Sequence, residues 1–161
     1  DQVEAMVLAD RIAVMSQGRI LQIGNPFQLY RAPANTLVAE FFGSINWIRG
    51  KMIGEGRLDS EVGPLVTAAP RRYEGNVVVG VRPEDVKLDG DFAGAENRLD
   101  GSVVSSNFLG DQVIAEVKVN NTILVVKAPS DCEKLAGKVE IHLPKERMVV
   151  FPEEAAGAES Q

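Results

Sequence analysis

The chain has 161 residues, 45% hydrophobic and 25% charged, which is the make-up of a folded globular chain long enough for one domain and an appendage. A formal net charge of −6 argues against a general binder of nucleic acid or anionic membranes. One cysteine, Cys132, excludes an internal disulfide framework and fits a reducing compartment, and no run of about 18 apolar residues is present to cross a membrane as a helix.

Asp1-Gln2-Val3-Glu4 opens the chain with neither an initiating Met nor a basic leader, as expected of a piece cut from something longer. Asp1 as cap and Glu4 reaching back predict a helix start, with Val3, Met6 and Val7 on one apolar face. Arg11–Met15 is a predicted strand. Its successive apolar residues Ile12, Ala13, Val14 and Met15 point to burial on both faces. Ser16-Gln17-Gly18-Arg19 is a tight turn, and Ile20–Ile23 is the return strand of a hairpin. Asn25-Pro26 starts a short helix that stops before Pro33. Asn35 opens another, with Leu37, Val38, Phe41 and Phe42 as its apolar stripe and Gly43 as its close. The pattern changes here, so a domain boundary is expected at Gly43–Ser44.

From Ile45 on, the pattern is almost all β. Predicted strands are Asn46–Ile53, Arg57–Asp59, Leu65–Thr67, Val77–Val81, Val86–Leu88, Leu99–Leu109, Val113–Val119, Thr122–Ala128, Val139–Leu143 and Met148–Phe151. In Val113–Val119, Val113, Ala115, Val117 and Val119 share one face, and Asn120-Asn121 is a two-residue hairpin turn. Many short strands joined by Gly, Asn and Pro turns predict a small barrel or sandwich. The central stretch Val77–Leu88 is a buried strand that meets Pro83, an acidic turn Glu84-Asp85 expected in solvent, and a resumed strand. The tail from Pro152, rich in Ala, Glu and Gly, is expected to be disordered.

Residues able to carry chemistry are scattered. His142 is the only histidine and falls on the polar face of its strand, with no cluster around it to hold a metal. Cys132 has no basic cluster to lower its pKa. Neither G-x-x-x-x-G-K-S/T nor G-x-G-x-x-G occurs, so no phosphate cradle is assigned. Arg71-Arg72-Tyr73 reads as a solvated loop, Glu84-Asp85 as adjacent carboxylates that point apart, and Trp47 as core or interface. Taken alone, the residues define no catalytic site, no metal site and no cofactor site.

The opening run DQVEAMVLADRIAVMSQGRILQIGNPFQLYRAPANTLVAEFFGS resembles, almost throughout, the end of the nucleotide-binding domain of ABC importer ATP-binding subunits, in the branch of the maltose and sn-glycerol-3-phosphate importers. Asp1, Gln2 and Glu4 match the residues that follow that family's switch histidine. Val81-Arg82-Pro83-Glu84-Asp85, Asn107-Phe108-Leu109-Gly110-Asp111 and Leu143-Pro144-Lys145-Glu146-Arg147 are similar to motifs of the transport-associated OB (TOBE) domain of the same subunits. The phosphate loop, the signature motif and the switch histidine are absent.

The resemblance implies a mainly β protein. Residues 1–43 would be a short α/β tail of the ATPase domain, residues 44–151 an OB-type β-barrel regulatory domain, and residues 152–161 a disordered tail. Implied partners are a second copy of the ATPase subunit and the membrane permease subunits, with the subunit cytoplasmic and peripheral on the inner face of the membrane. ATP and Mg would belong to the parent protein, and this chain alone would hydrolyse nothing. Arg82, Pro83, Glu84 and Asp85 are the expected contact or regulatory residues. Sugar, polyol or glycerol phosphate is the first expectation for the solute, polyamine or metal ion the second. The alternative is an OB-fold module that binds nucleic acid or a small ligand such as an oxyanion or sugar. Strands Ile12–Met15 and Ile20–Ile23, without the rest of an ATPase domain, are expected to pair with another copy or fold back on the barrel.

Overall fold

The computed structural model describes residues 2–68, 73–90, 92–130 and 135–153. Two compact units emerge, one of residues 2–45 and one of Asn46–Glu153.

The first unit holds α1 (Gln2–Leu8), a hairpin of β1 (Ile12–Ser16) and β2 (Arg19–Gly24), α2 (Pro26–Arg31) and α3 (Thr36–Phe41). Gln17 and Gly18 form the two-residue hairpin loop, both at positive φ (48° and 77°), which matches the right-handed twist of the flanking strands. Asn25 closes a capping box: its Oδ1 accepts from Gln28 N–H at 2.8 Å, and Gln28 Oε1 accepts from Asn25 N–H at 3.1 Å. Asn35 caps α3 through Val38 N–H at 2.9 Å. Gln22 ties the hairpin to the segment between these helices, donating to Ala32 O at 3.0 Å and accepting from Ala34 N–H at 2.8 Å.

The core of this unit is small: Val14, Leu29, Val38 and Phe42, with Met6, Ile12, Leu21 and Tyr30 against it. Three expectations change here. Only Met6 of the expected α1 face packs on this core, while Val3 and Val7 are exposed. On β1 only Val14 is buried, because the hairpin lays one face on the helices and leaves the other uncovered. The buried stripe of α3 is Thr36, Val38 and Ala39, continued by Phe42, rather than Leu37, Val38, Phe41 and Phe42. Asn35 starts the helix in a register that turns Phe41 outward.

The second unit is the OB-type barrel. It contains β3 (Asn46–Gly54), β4 (Arg57–Ser60), β5 (Gly63–Val66), β6 (Gly75–Val81), β7 (Lys87–Leu88), β8 (Arg98–Phe108), β9 (Gln112–Val119), β10 (Thr122–Pro129), β11 (Lys138–His142), a 3-10 turn (Lys145–Arg147) and β12 (Val149–Pro152). Two antiparallel five-stranded sheets, ordered β12-β6-β3-β4-β5 and β10-β9-β8-β11-β7, curl around one core. Ile48, Leu58, Val79, Val81, Val117, Val126, Ile141 and Leu143 are fully buried in it. The alternation in β9 holds: Val113, Ala115, Val117 and Val119 all face inward. Val119 pairs with Thr122 across the Asn120-Asn121 turn, with Asn120 at φ 53°.

Two details position the sheets beyond what periodicity shows. A Cβ on Gly101 would lie 2.7 Å from Val117 Cγ1 and 3.2 Å from Ile141 Cδ1, so β8 runs close over its neighbours only because that residue is glycine. The expected strand Leu99–Leu109 forms as β8, but a bulge between Val103 and Ser105 shifts its register with β9 and leaves Val104 exposed. Pro152, expected in the tail, pairs instead with Val77 as the last residue of β12. Residues 154–161, Asp1, Arg71, Arg72 and Cys132 lie outside the described residues.

Candidate functional site

Strand β6 delivers its buried valines to the corner Arg82-Pro83-Glu84-Asp85. Asp85 N–H donates to Arg82 O at 3.0 Å, which makes the four residues a β-turn with proline at its second position. The expectation that Glu84-Asp85 turns the chain in solvent is corrected. Arg82 is 4% and Asp85 6% exposed, Pro83 is buried and Glu84 half-buried. Long-range partners hold the corner down. Lys127 N–H, on β10, donates to Pro83 O at 2.9 Å. Arg147, on the 3-10 turn, brings Nε to 3.8 Å from Asp85 Oδ1. A local contact adds to these: Lys87 Nζ, three residues on, donates to Glu84 O at 3.3 Å. The corner is therefore a joint where the two sheets and the closing turn meet. Of the four expected contact residues, Glu84 alone offers appreciable surface.

Glu84 borders a cleft of about 730 Å³ lined by apolar Val86, Leu88, Phe92 and Leu135 and by charged Lys87 and Lys127. This mixed lining suits a small molecule with apolar and charged parts. His142 stands nearby in sequence terms only as the partner of Lys87 in the β7–β11 pairing; its half-buried ring lies 5.1 Å from the Phe92 ring. Among the described residues no group of three His, Cys, Asp or Glu is placed to hold a metal ion. Trp47 is half-buried and meets the Phe151 ring edge-on at 6.2 Å. Tyr73 packs against the barrel core.

The Glu96 carboxylate accepts a hydrogen bond from Lys145 Nζ and lies in ion-pair contact with it, and this raises the Lys145 pKa above its ordinary value.

The most exposed apolar surface belongs to residues 2–45. Gln2 and Glu4 sit on an exposed α1 turn, and Val3, Val7 and Leu8 of the same helix are 66%, 75% and 82% exposed. On the hairpin, Met15 pairs across strands with Ile20 and Ala13 with Ile23. Met15, Ile20 and Ile23 are 60%, 55% and 48% exposed, and Phe27 on α2 is 72% exposed. Paired apolar side chains on an open sheet face form a contact surface rather than isolated exposed residues. The sequence signal for this surface was the two-sided apolar pattern of Ile12–Met15. The structure accounts for one side with its own helices and leaves the other without cover among the described residues.

Residues 79–151 match the TOBE domain family model. Over 166 aligned residues the chain is 32% identical to a sulfate/thiosulfate import ATP-binding protein of Chromobacterium violaceum, an alignment that takes in 97% of this chain and 45% of the relative. It is 34% identical to an sn-glycerol-3-phosphate import ATP-binding protein of Escherichia coli O6:K15:H31, over 94% of this chain and 44% of that one. A spermidine/putrescine import ATP-binding protein of Mycoplasma genitalium is 31% identical over 81% of this chain and 26% of its own length. The chain thus spans less than half the length of each of these relatives. Among solved structures, the cytoplasmic molybdate-binding protein ModG superposes with a TM-score of 0.54 at 14% identity, covering 66% of this chain and 95% of ModG, which supports the OB-type fold.

Proposed function

We propose that this chain, which carries a TOBE domain and is related over nearly its whole length to import ATP-binding proteins, is the C-terminal coupling part of the ATP-binding subunit of an ABC importer. The observation that carries the reading is the uncovered apolar face of Met15, Ile20 and Ile23, carried by a segment whose own core holds four buried side chains. That face is where the remainder of a nucleotide-binding domain packs. The barrel then serves as the regulatory module, holding two subunits together while their ATPase domains open and close. Its partners are a second copy of the subunit and the permease subunits, and its place is the cytoplasmic face of the membrane. No helix among the described residues is long and apolar enough to span a membrane. The sequence has no phosphate loop to cradle a nucleotide, so ATP and Mg are assigned to the rest of the subunit.

For the solute, we favour glycerol phosphate or a related sugar or polyol. An sn-glycerol-3-phosphate import ATP-binding protein of Rhizobium meliloti is 41% identical over 60% of this chain. Relatives named for sulfate, iron and polyamines mark the alternatives. A second reading, a small-ligand sensor, rests on the cleft beside Glu84. Titration calorimetry with glycerol phosphate, sugars, sulfate and molybdate separates the two. Saturable heat with the isolated chain favours the sensor, and silence favours a purely mechanical module.

The main reading is tested by grafting. This chain replaces the aligned part of the Escherichia coli relative, and the hybrid subunit is purified. A dimeric hybrid that hydrolyses ATP is expected, and Met15→Glu with Ile20→Glu should abolish its soluble assembly. A hybrid that assembles equally well with both glutamates would contradict the assignment of that face.

A further inference from the structure

Residues 46–153 form two sheets whose edge strands are β5, β10, β12 and β7. An open edge offers backbone N–H and C=O groups to any passing strand. On β5, Val66 turns both groups away from β4, and the Asn97 side chain takes both. Its Oδ1 accepts from Val66 N–H at 2.6 Å, and its Nδ2 donates to Val66 O at 2.7 Å. Two residues earlier on the same outward side stands Pro64, with no N–H to offer.

On β10 the arrangement repeats with different residues. Asn46 Nδ2 donates to Val125 O at 2.8 Å, and its Oδ1 accepts from Val125 N–H at 2.8 Å. Lys127 N–H is taken by Pro83 O at 2.9 Å. The next outward residue on this edge is Pro129.

On β12 the direction follows from the ladder. Arg49 directs its backbone N–H and C=O to Glu61, so Ile48 and Gly50 bond Val79 and Val77 of β6. The alternate residues Val78 and Gly80 then face β12, where they meet Phe151 and Val149. Val150 and Pro152 are left facing outward, and Pro152 again has no N–H.

Asn46 and Asn97 are 7% and 8% exposed. Each lies at the start of a strand of one sheet, and each reaches the edge strand of the other. A side-chain amide sets an N–H donor beside a C=O acceptor in the spacing of a peptide group, so it copies the strand that is missing, and its second N–H remains for another partner.

We infer that Asn46, Asn97, Pro64, Pro129 and Pro152 form a set of edge guards that disfavours strand addition at β5, β10 and β12, the edges other than the two-residue β7. A second copy, or any other protein partner, therefore meets these three edges through side-chain faces and loops, not by extending the sheets there. Closure of this kind suits a module that must associate reversibly, because strand addition at several edges would propagate without limit.

Amide hydrogen exchange on the unmodified chain reads the clamps. The Val66, Val125 and Lys127 amides should exchange at least about tenfold more slowly than that of Ile123, whose outward N–H has no partner among the described residues. Sedimentation velocity on Pro64→Thr, Pro129→Thr and the double variant reads the guard function. These changes return an outward N–H and remove no hydrogen bond. Asn46→Ala and Asn97→Ala remove hydrogen bonds and can unfold, so the proline variants decide. The double proline variant should associate several-fold more than the parent at equal concentration. Equal exchange at all four amides, or a folded double variant with the parent's mass distribution, would overturn the inference.

Discussion

Asn97 concentrates more of the barrel's closure than any other described side chain. Its Nδ2 donates to Val66 O and to Leu143 O, at 2.7 and 3.0 Å, and its Oδ1 accepts from Val66 N–H. Its own carbonyl accepts from Leu143 N–H at 3.1 Å, and its φ of 59° lies in the left-handed region that asparagine tolerates better than alanine. Asn97→Ala leaves one buried and two part-buried backbone groups without this partner, and a loss of about 2–4 kcal/mol is expected in urea unfolding. An unchanged midpoint would show that water replaces the amide at no cost. Lys145 supplies a pH prediction. Its folded pKa is raised above 10.5 by Glu96, so the pair's stabilisation is fully present below pH 10.5 and is lost as pH rises through the folded value. Lys145→Gln should lower the melting temperature slightly at pH 8, and the gap from the parent should close in strongly alkaline buffer. A gap that widens with pH would reverse the sign. The side chain is exposed, so the effect is small at any pH.

Among the elements, strand positions were largely legible. β3, β6, β9 and β10 fall within a residue or two of their expected spans, β9 through its apolar/polar alternation and β6 and β10 through runs rich in β-branched residues. Turn chemistry was legible at Gln17-Gly18 and Asn120-Asn121, and cap chemistry at Asn25 and Asn35, where a local side chain sets the geometry. The Arg82–Asp85 corner was not legible. Two acidic residues after a proline look solvated, and nothing local announces that Lys127 will bond Pro83 O or that Arg147 will approach Asp85. The bulge at Val104 and the amide clamps were hidden for the same reason: both depend on residues distant in sequence. Gly101 belongs to this class as well. Gly101→Val should cost about 1–3 kcal/mol by overpacking against Val117 and Ile141, measured by thermal unfolding. A neutral outcome would mean that β8 has room to shift outward.

For the whole molecule, the contrast between the two units is the guide to function. Residues 46–153 carry a full core and guarded edges, as a self-sufficient module does. Residues 2–45 carry a small core and a broad apolar face, as a segment made to be covered does. This division agrees with a chain spanning less than half of its import ATP-binding relatives. The most direct measurement is ATP-driven uptake in membrane vesicles that hold the host permease and the hybrid subunit bearing this chain. The account predicts uptake of the host's own solute that depends on ATP and is lost with Met15→Glu and Ile20→Glu. A folded hybrid subunit that binds the permease and hydrolyses ATP but drives no uptake would contradict it.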